Sequence, residues 1–261
     1  MFSRIIYIFL FISCLNLQIL AAGDEPPSWL TALKSTQTPT YEKDVPAVAL
    51  HDEQTVTMDS EGKMTIVTNY AIKVLLREGK GLALARASYL VSSSRVREMN
   101  AWLIKADGYT KKYDKDKIID IIADPDDVYN EYRLKIADAS DDADVSSIFG
   151  YTVVTEEKPL FYQDVWAFQD RLPTIMSRYT LNLPNGWQAK SIAFNRQTIE
   201  PTVNGSSYTW ELRNMSPIPS EPMSPSVKTI APYITVNYFP KENPNIPMRT
   251  FKDWREVSVW T

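Results

Sequence analysis

Trp102-Leu103-Ile104-Lys105-Ala106-Asp107-Gly108-Tyr109-Thr110-Lys111-Lys112-Tyr113 decides the fold class. Two short runs of strand-favouring residues flank Asp-Gly, the dipeptide that most readily takes the positive φ angles of a type I′ hairpin turn. The same grammar recurs on both sides. Gln54 to Met58 and Lys63 to Leu76 flank Asp59-Ser60-Glu61-Gly62, Leu181-Asn182-Leu183 and Trp187 to Ile192 flank Asn185-Gly186, and Ile199 to Val203 and Ser207 to Leu212 flank Asn204-Gly205. Each reads as a hairpin. With turn signals at this density and few amphipathic helical stretches, the expected fold is mainly β, with antiparallel β-sandwich-type sheets and a few short helices.

Further segments fill in the outline. Gly81 to Val91 fits a short helix or a strand equally. Asp164-Val165-Trp166-Ala167-Phe168-Gln169 carries large apolar groups on both faces and is expected to be a central strand covered on both sides. From Pro217 the prolines at 219, 222, 225, 232, 240, 244 and 247 exclude many central strands, leaving Ile230 to Tyr238 as the good one.

At the start, Arg4, the apolar run Ile5 to Ile12 and the small residues Ala21-Ala22-Gly23 before Asp24 have the three-part layout of a secretory signal. Cleavage is expected after Gly23, with Ala22 the alternative, and an uncleaved anchor stays open. Phe11-Ile12-Ser13-Cys14 has the outline of a lipoprotein site, against which Phe11 is a poor first residue. The expected organisation is a signal peptide at 1–23, a linker at 24–45, a β-rich domain at 46–240 with a division into two subdomains open near 158, and a linker and helix start at 241–261. Export to the periplasm, cell envelope or exterior follows, with no membrane span after cleavage.

Removing residues 1–23 takes Arg4 with it and leaves 27 basic against 32 acidic residues, a net charge of −5. An acidic chain argues against nucleic acid as a partner. Cys14, the one cysteine, goes with the signal, which removes thiol chemistry, disulfides and Cys-ligated zinc. His51 is the one histidine, so a Ser-His-Asp relay would hang on a strand-end imidazole. No nucleotide-binding or Gly-x-Ser-x-Gly pattern is present, and Ser60-x-x-Lys63 falls in a turn where a Ser-Lys pair needs a helix start. No enzyme activity and no cofactor are expected.

Two constellations remain. Asp138, Ser140, Asp142 and Asp144 occupy alternate positions, as the oxygens of a calcium loop do, but Ala143 stands at the loop glycine and Phe149 at the bidentate glutamate. Asp138, Asp142 and Asp144 are therefore an irregular Ca²⁺ candidate set against a solvated acidic loop. Tyr162, Trp166 and Phe168 are candidate ligand-binding residues, a stacking platform for cell-wall glycan or peptide. Aromatic residues on strands more often fill a core.

Val165-Trp166-Ala167-Phe168-Gln169-Asp170-Arg171-Leu172-Pro173, followed by a strand closing in Leu183-Pro184-Asn185-Gly186-Trp187, resembles the domain of unknown function found ahead of the transglutaminase-like core in many exported bacterial proteins. Ala101 to Gly108 is similar to that family's hairpin ending in Asp-Gly. Ser147 to Tyr151 resembles the segment before its central strand, and Glu221-Pro222-Met223-Ser224-Pro225 with Ala231-Pro232 its proline-rich exit. Trp254 and Trp260 match the tryptophans that introduce the transglutaminase-like core. The resemblance covers roughly residues 46 to 260. It implies a β-sandwich-type fold and a partner, in cis or in trans, with Cys-His-Asp chemistry, while no catalytic residue carries over to this chain. The function expected is that of a non-catalytic module that positions or covers such a domain, the alternative being a free-standing carbohydrate- or peptide-binding protein of the cell envelope.

Overall fold

Ala47–Met58 (β1) and Met64–Val74 (β2) pair antiparallel from Ala47↔Val74 to Met58↔Met64 and form the spine of the molecule. Their turn is organised by Asp59, whose carboxylate accepts hydrogen bonds from the amides of Glu61 and Lys63 at 2.9 Å. The computed structural model describes residues 25–41, 44–124, 126, 131–196, 198–241 and 255. The signal segment with Cys14, and Trp254 and Trp260, lie outside the described residues. Among the described residues no helix is long and apolar enough to cross a membrane.

Twelve further strands follow: β3 (Leu84–Leu90), β4 (Ser94–Ile104), β5 (Thr110–Tyr113), β6 (Ile118–Ile122), β7 (Tyr132–Asp138), β8 (Ile148–Glu157), β9 (Gln163–Ala167), β10 (Thr174–Asn182), β11 (Trp187–Phe194), β12 (Thr202–Asn204), β13 (Ser207–Met215) and β14 (Tyr233–Pro240). Eight of the fourteen form one sheet in the order β12-β13-β10-β1-β2-β8-β4-β5, so strands from both sides of residue 158 share it. Two three-stranded sheets, β3-β7-β6 and β11-β14-β9, complete the set. Every pairing is antiparallel except β1 with β10.

Alternation sorts the core into three clusters. Ala47 and Ala49 of β1, Ile72 of β2, Leu103 of β4 and Phe149 of β8 meet Ala85 of β3 and Ala137 of β7. The alanines let the β3-β7-β6 sheet approach closely. Val56 and Met58 of β1, Tyr179 and Leu181 of β10 and Trp210 of β13 meet Trp166, Ile234 and Val236 of the β11-β14-β9 sheet. A register shift between Ala49 and His51 keeps both clusters on one face of β1. On the opposite face, Val48, Leu50, Ala71 and Ile104 are covered by the helix Ser28–Ala32 (α1), whose Leu30 is fully buried.

Several sequence expectations change in detail. Lys105–Gly108 closes with the Gly108 amide on the Lys105 carbonyl at 3.0 Å, and of Asp107 and Gly108 only the glycine takes a positive φ (91°), so the turn is not type I′. Asn185-Gly186 joins no hairpin: β10 belongs to the large sheet and β11 to a small one. Gly81 to Val91 contains β3, entered by a 3-10 turn at Arg77–Leu82. The Trp166 strand is not central. As β9 it is the edge of its sheet, pairing only with β14, and Val165 is 67% exposed.

Gly79 in that 3-10 turn sits where a Cβ would stand 2.1 Å from the Pro46 carbonyl oxygen. That carbonyl is pinned, because it accepts the amides of Leu75 and Leu76 at 2.9 and 3.0 Å. Gly79→Ala is therefore expected to cost about 2–3 kcal/mol in a urea melt, since backbone must move. Gly81→Ala, with open space around its Cβ, is expected to stay within about 0.5 kcal/mol.

Candidate functional site

The acidic loop after β7 does not assemble as a metal site. Asp138 accepts the Ser140 amide at 2.8 Å. Asp142 accepts Lys111 Nζ and the Tyr113 hydroxyl, both at 2.5 Å, and Asp144 pairs with Lys105 at 3.0 Å and Lys80 at 3.7 Å. Hydrogen bonds from Lys111 and Tyr113 hold the Asp142 carboxyl below the usual range, and those from Lys105 do the same for Asp144. Lysine ammonium groups thus stand where a cation would be needed. Among the described residues no group of three or more His, Cys, Asp or Glu could hold a metal.

Tyr162, Trp166 and Phe168 face inward, at 6%, 9% and 0% exposure. Trp166 stacks on Tyr179 at 5.8 Å and donates Nε1 to Ser177 Oγ at 3.2 Å. Tyr162 meets Trp187 edge-on at 5.1 Å and Tyr238 at 5.9 Å. Asp164 closes the cluster by accepting the hydroxyls of Tyr179 and, at 3.3 Å, Tyr238. Burial pushes the Asp164 carboxyl up, and these two hydrogen bonds pull it partly back. The aromatic faces are spent on one another, and the rings build core.

His51 lies on the outer face of the large sheet, 5.1 Å from the Trp29 ring, and its Nε2 is 3.2 Å from Glu53. Glu53 also accepts Arg178 at 3.0 Å, Arg178 reaches Glu211 at 2.6 Å, and Arg213 contacts Glu211 at 2.5 Å. This ladder crosses β1, β10 and β13 and uses the one imidazole as an ion-pair partner. The His51 hydrogen bond, then the charges of His51 and Arg178 working against burial, bring the Glu53 carboxyl down to about 2. A depressed carboxyl adds stability that is complete above its unfolded value near 4.5 and is lost as pH falls toward 2. Glu53→Gln is expected to flatten the acid limb of the stability profile between those values. About 1–2 kcal/mol separates the two proteins at pH 6 after allowing for solvent screening, read from urea midpoints.

Two surface features went unnoticed in sequence reading. The first is the outer face of the β11-β14-β9 sheet. Register places Phe194, Tyr233 and Ala167 in one row and Ile192, Thr235 and Val165 in the next. Ile192 is 62% exposed and Val165 67%, while Phe194 lies flat on Tyr233 with ring centres 4.6 Å apart. Apolar rows of this kind facing water mark contact surfaces. The second is a cleft of about 250 Å³ on the inner face of the large sheet, lined by Gln54, Thr68, Tyr151, Thr155 and Glu157 with Arg86 of β3 on its wall. Neither was legible because each is made by strands distant in sequence.

The fold and these surfaces define a multi-sheet β module. The chain belongs to DUF3857, described as a Domain of Unknown Function with solved-structure structure, whose family model matches residues 60–219. No curated protein matches it. Among solved structures it is similar to a putative protease from Parabacteroides distasonis, at 12% identity and a TM-score of 0.60 over 73% of this chain. The matched part spans 40% of that protein's length, and the likeness is one of fold. Yeast LTA4 hydrolase in complex with bestatin (11% identity, 81% of this chain, 33% of that chain, TM-score 0.37) is more distant. So is a two-domain M1 zinc metallopeptidase bound to L-tryptophan (9%, 77%, 44%, TM-score 0.33).

Proposed function

We propose that this chain is a non-catalytic, exported module that positions or covers a transglutaminase-like domain, in cis or in trans. The observation that carries the reading is the water-facing apolar stripe of Val165, Ile192 and Phe194 on the β11-β14-β9 sheet. Three strands with a packed inner face gain nothing for their own fold by an apolar outer one, whereas a second domain laid on it would bury it. The site chemistry agrees. The one histidine is committed to Glu53, and the buried aromatic rings hold the sheets together. A related fold forming 40% of a longer putative protease supports the idea of a module that works beside another.

The double variant Val165→Asp with Ile192→Asp places charge on the stripe without touching the core. It is expected to melt within about 0.5 kcal/mol of the parent, as surface substitutions do. In sedimentation with a transglutaminase-like domain, the parent is expected to co-migrate and the variant to weaken the complex at least about tenfold. Equal binding by both proteins would remove the stripe from the account, and the absence of any complex would remove the function.

A further inference from the structure

The cleft on the inner face of the large sheet has an open strand edge for one wall. β3 is the edge of its small sheet and pairs only with β7. The Ala139 amide bonds the Ala83 carbonyl at 2.9 Å, and the Val91 amide bonds the Glu131 carbonyl at 3.0 Å, which fixes the parity of the ladder between them. Ala85, Ala87 and Tyr89 therefore exchange backbone hydrogen bonds with β7, and the amides and carbonyls of Arg86, Ser88 and Leu90 point the other way. That way is into the cleft. Its lining holds Arg86, Ala87 and Ser88 together with Gln54, Ile66 and Thr68 of β1 and β2 and, among the described residues, none of β6 or β7.

At Leu90 the edge is closed by Ser94, whose Oγ accepts the Leu90 amide at 2.8 Å and donates to the Leu90 carbonyl at 3.1 Å. Among the described residues no such cap reaches Arg86 or Ser88, so four backbone groups face the cleft in the geometry of a ladder. The two ends of this edge carry opposite charges. Ser94 pairs with Glu157 in the β4-β8 ladder, which places Glu157 at the Leu90 end. Arg86 lies four residues before Leu90, roughly 13 Å away along the strand at about 3.3 Å per residue. Neither charge has an ion-pair partner among the described residues, and burial, then the Asp164 charge, push the Glu157 carboxyl up.

We propose that this cleft binds a short free peptide, extended and antiparallel to β3, added to the β3 edge as one more strand. The peptide backbone exchanges hydrogen bonds with the amides and carbonyls of Arg86 and Ser88. Charge sets the direction. β3 runs from Arg86 toward Glu157, so an antiparallel chain brings its terminal amine to Glu157 and its terminal carboxylate to Arg86, whereas a parallel chain sets like charge against like. Four or five residues span that distance, and an internal segment of a larger protein lacks the charged ends. Arg86 and Ser88 turn outward while Ala85 and Ala87 are buried, so the peptide residue opposite Ala87 turns its side chain to the floor. There it meets Val153, Thr155 and Ile66, and a cleft of about 250 Å³, small for a ligand pocket, favours a small or β-branched residue. The site does not depend on a partner domain and stands or falls apart from the docking surface.

The test is calorimetry and NMR titration of the full chain at pH 7 with the pentapeptide Ala-Ser-Val-Ser-Ala, its termini free. Four ladder bonds and two terminal charges support a Kd of about 0.1–1 mM. The second and fourth peptide residues face Ser88 and Arg86, and the valine faces the floor. N-methylation at the second or fourth residue is therefore expected to weaken binding at least about tenfold, and at the valine, whose amide points away from β3, by less than about threefold. Acetylated and amidated ends are expected to weaken the peptide about tenfold, and Glu157→Gln or Arg86→Gln about threefold or more each. In the parent, the amide signals of Arg86, Ala87 and Ser88 are expected to shift on binding. No saturable binding at millimolar peptide, equal binding by the N-methyl isomers, or a capped peptide that binds as tightly as the free one overturns the proposal.

Discussion

Replacing Trp210 by alanine is expected to be among the most damaging single changes in this chain, lowering stability by about 3–5 kcal/mol. Trp210 is 1% exposed on β13, 5.7 Å from Tyr179 on one side and 6.1 Å from Tyr208 on the other. It donates Nε1 to Ser191 Oγ at 3.1 Å, a bond that reaches from the large sheet to β11 of the small one. Truncation therefore opens a cavity between two layers and leaves the Ser191 hydroxyl without its donor. At roughly 2–4 °C per kcal/mol for a chain of this size, the melting temperature falls by about 10 °C. Trp210→Phe, which keeps most of the ring volume, is expected to cost about half as much. A loss below about 1 kcal/mol for alanine would mean that the two sheets are not joined through this residue.

The position of Trp210 also shows what could be read in advance. Alternation along Ser207 to Leu212 and the Asn204-Gly205 turn announce a strand in a hairpin, and β12 and β13 form one, with Gly205 at a φ of 62°. Which sheet the hairpin joins is a matter of pairing between strands far apart in sequence, and no local pattern encodes it. The same limit explains Asn185-Gly186. The turn is real, with the Trp187 amide on the Pro184 carbonyl at 3.2 Å, but it carries the chain from one sheet to another.

Trp166 was misplaced for a related reason. Apolar residues on both faces of a strand are expected of a central position, yet Val165 faces water on an edge strand and belongs to the exposed apolar stripe. The calcium spacing failed on long-range chemistry, because Lys105 and Lys111 of the β4–β5 hairpin arrive at the acidic loop from some thirty residues away in sequence. Asp52 was invisible in the sequence, an ordinary acid between a histidine and a glutamate, until burial distinguished it.

Asp52→Asn is expected to stabilise the protein, and only where the carboxylate would be charged. Burial pushes the Asp52 carboxyl up to about 7 from an unfolded value near 3.8. Below pH 3.8 both states hold the proton and the group is neutral in effect. Between 3.8 and 7 the unfolded chain ionises while the folded one does not, so stability falls as pH rises, and above 7 the whole cost persists. The asparagine variant is expected to match the parent near pH 3.5 and to exceed it by about 2–4 kcal/mol at pH 8, a rise of about 5–10 °C in melting temperature. The profile runs opposite to that of Glu53→Gln, which loses stability above its window, so the two variants together check the sign of each carboxyl. A parent and variant with parallel pH profiles would show that Asp52 is solvated.

The docking role is tested most directly by hydrogen–deuterium exchange of this chain alone and in the presence of a separately produced transglutaminase-like domain. The account predicts slowed exchange concentrated in β11 (Trp187–Phe194) and β9 (Gln163–Ala167), the strands that frame the apolar stripe. Protection absent everywhere, or confined to the outer face around His51, Glu53 and Arg178, would contradict it.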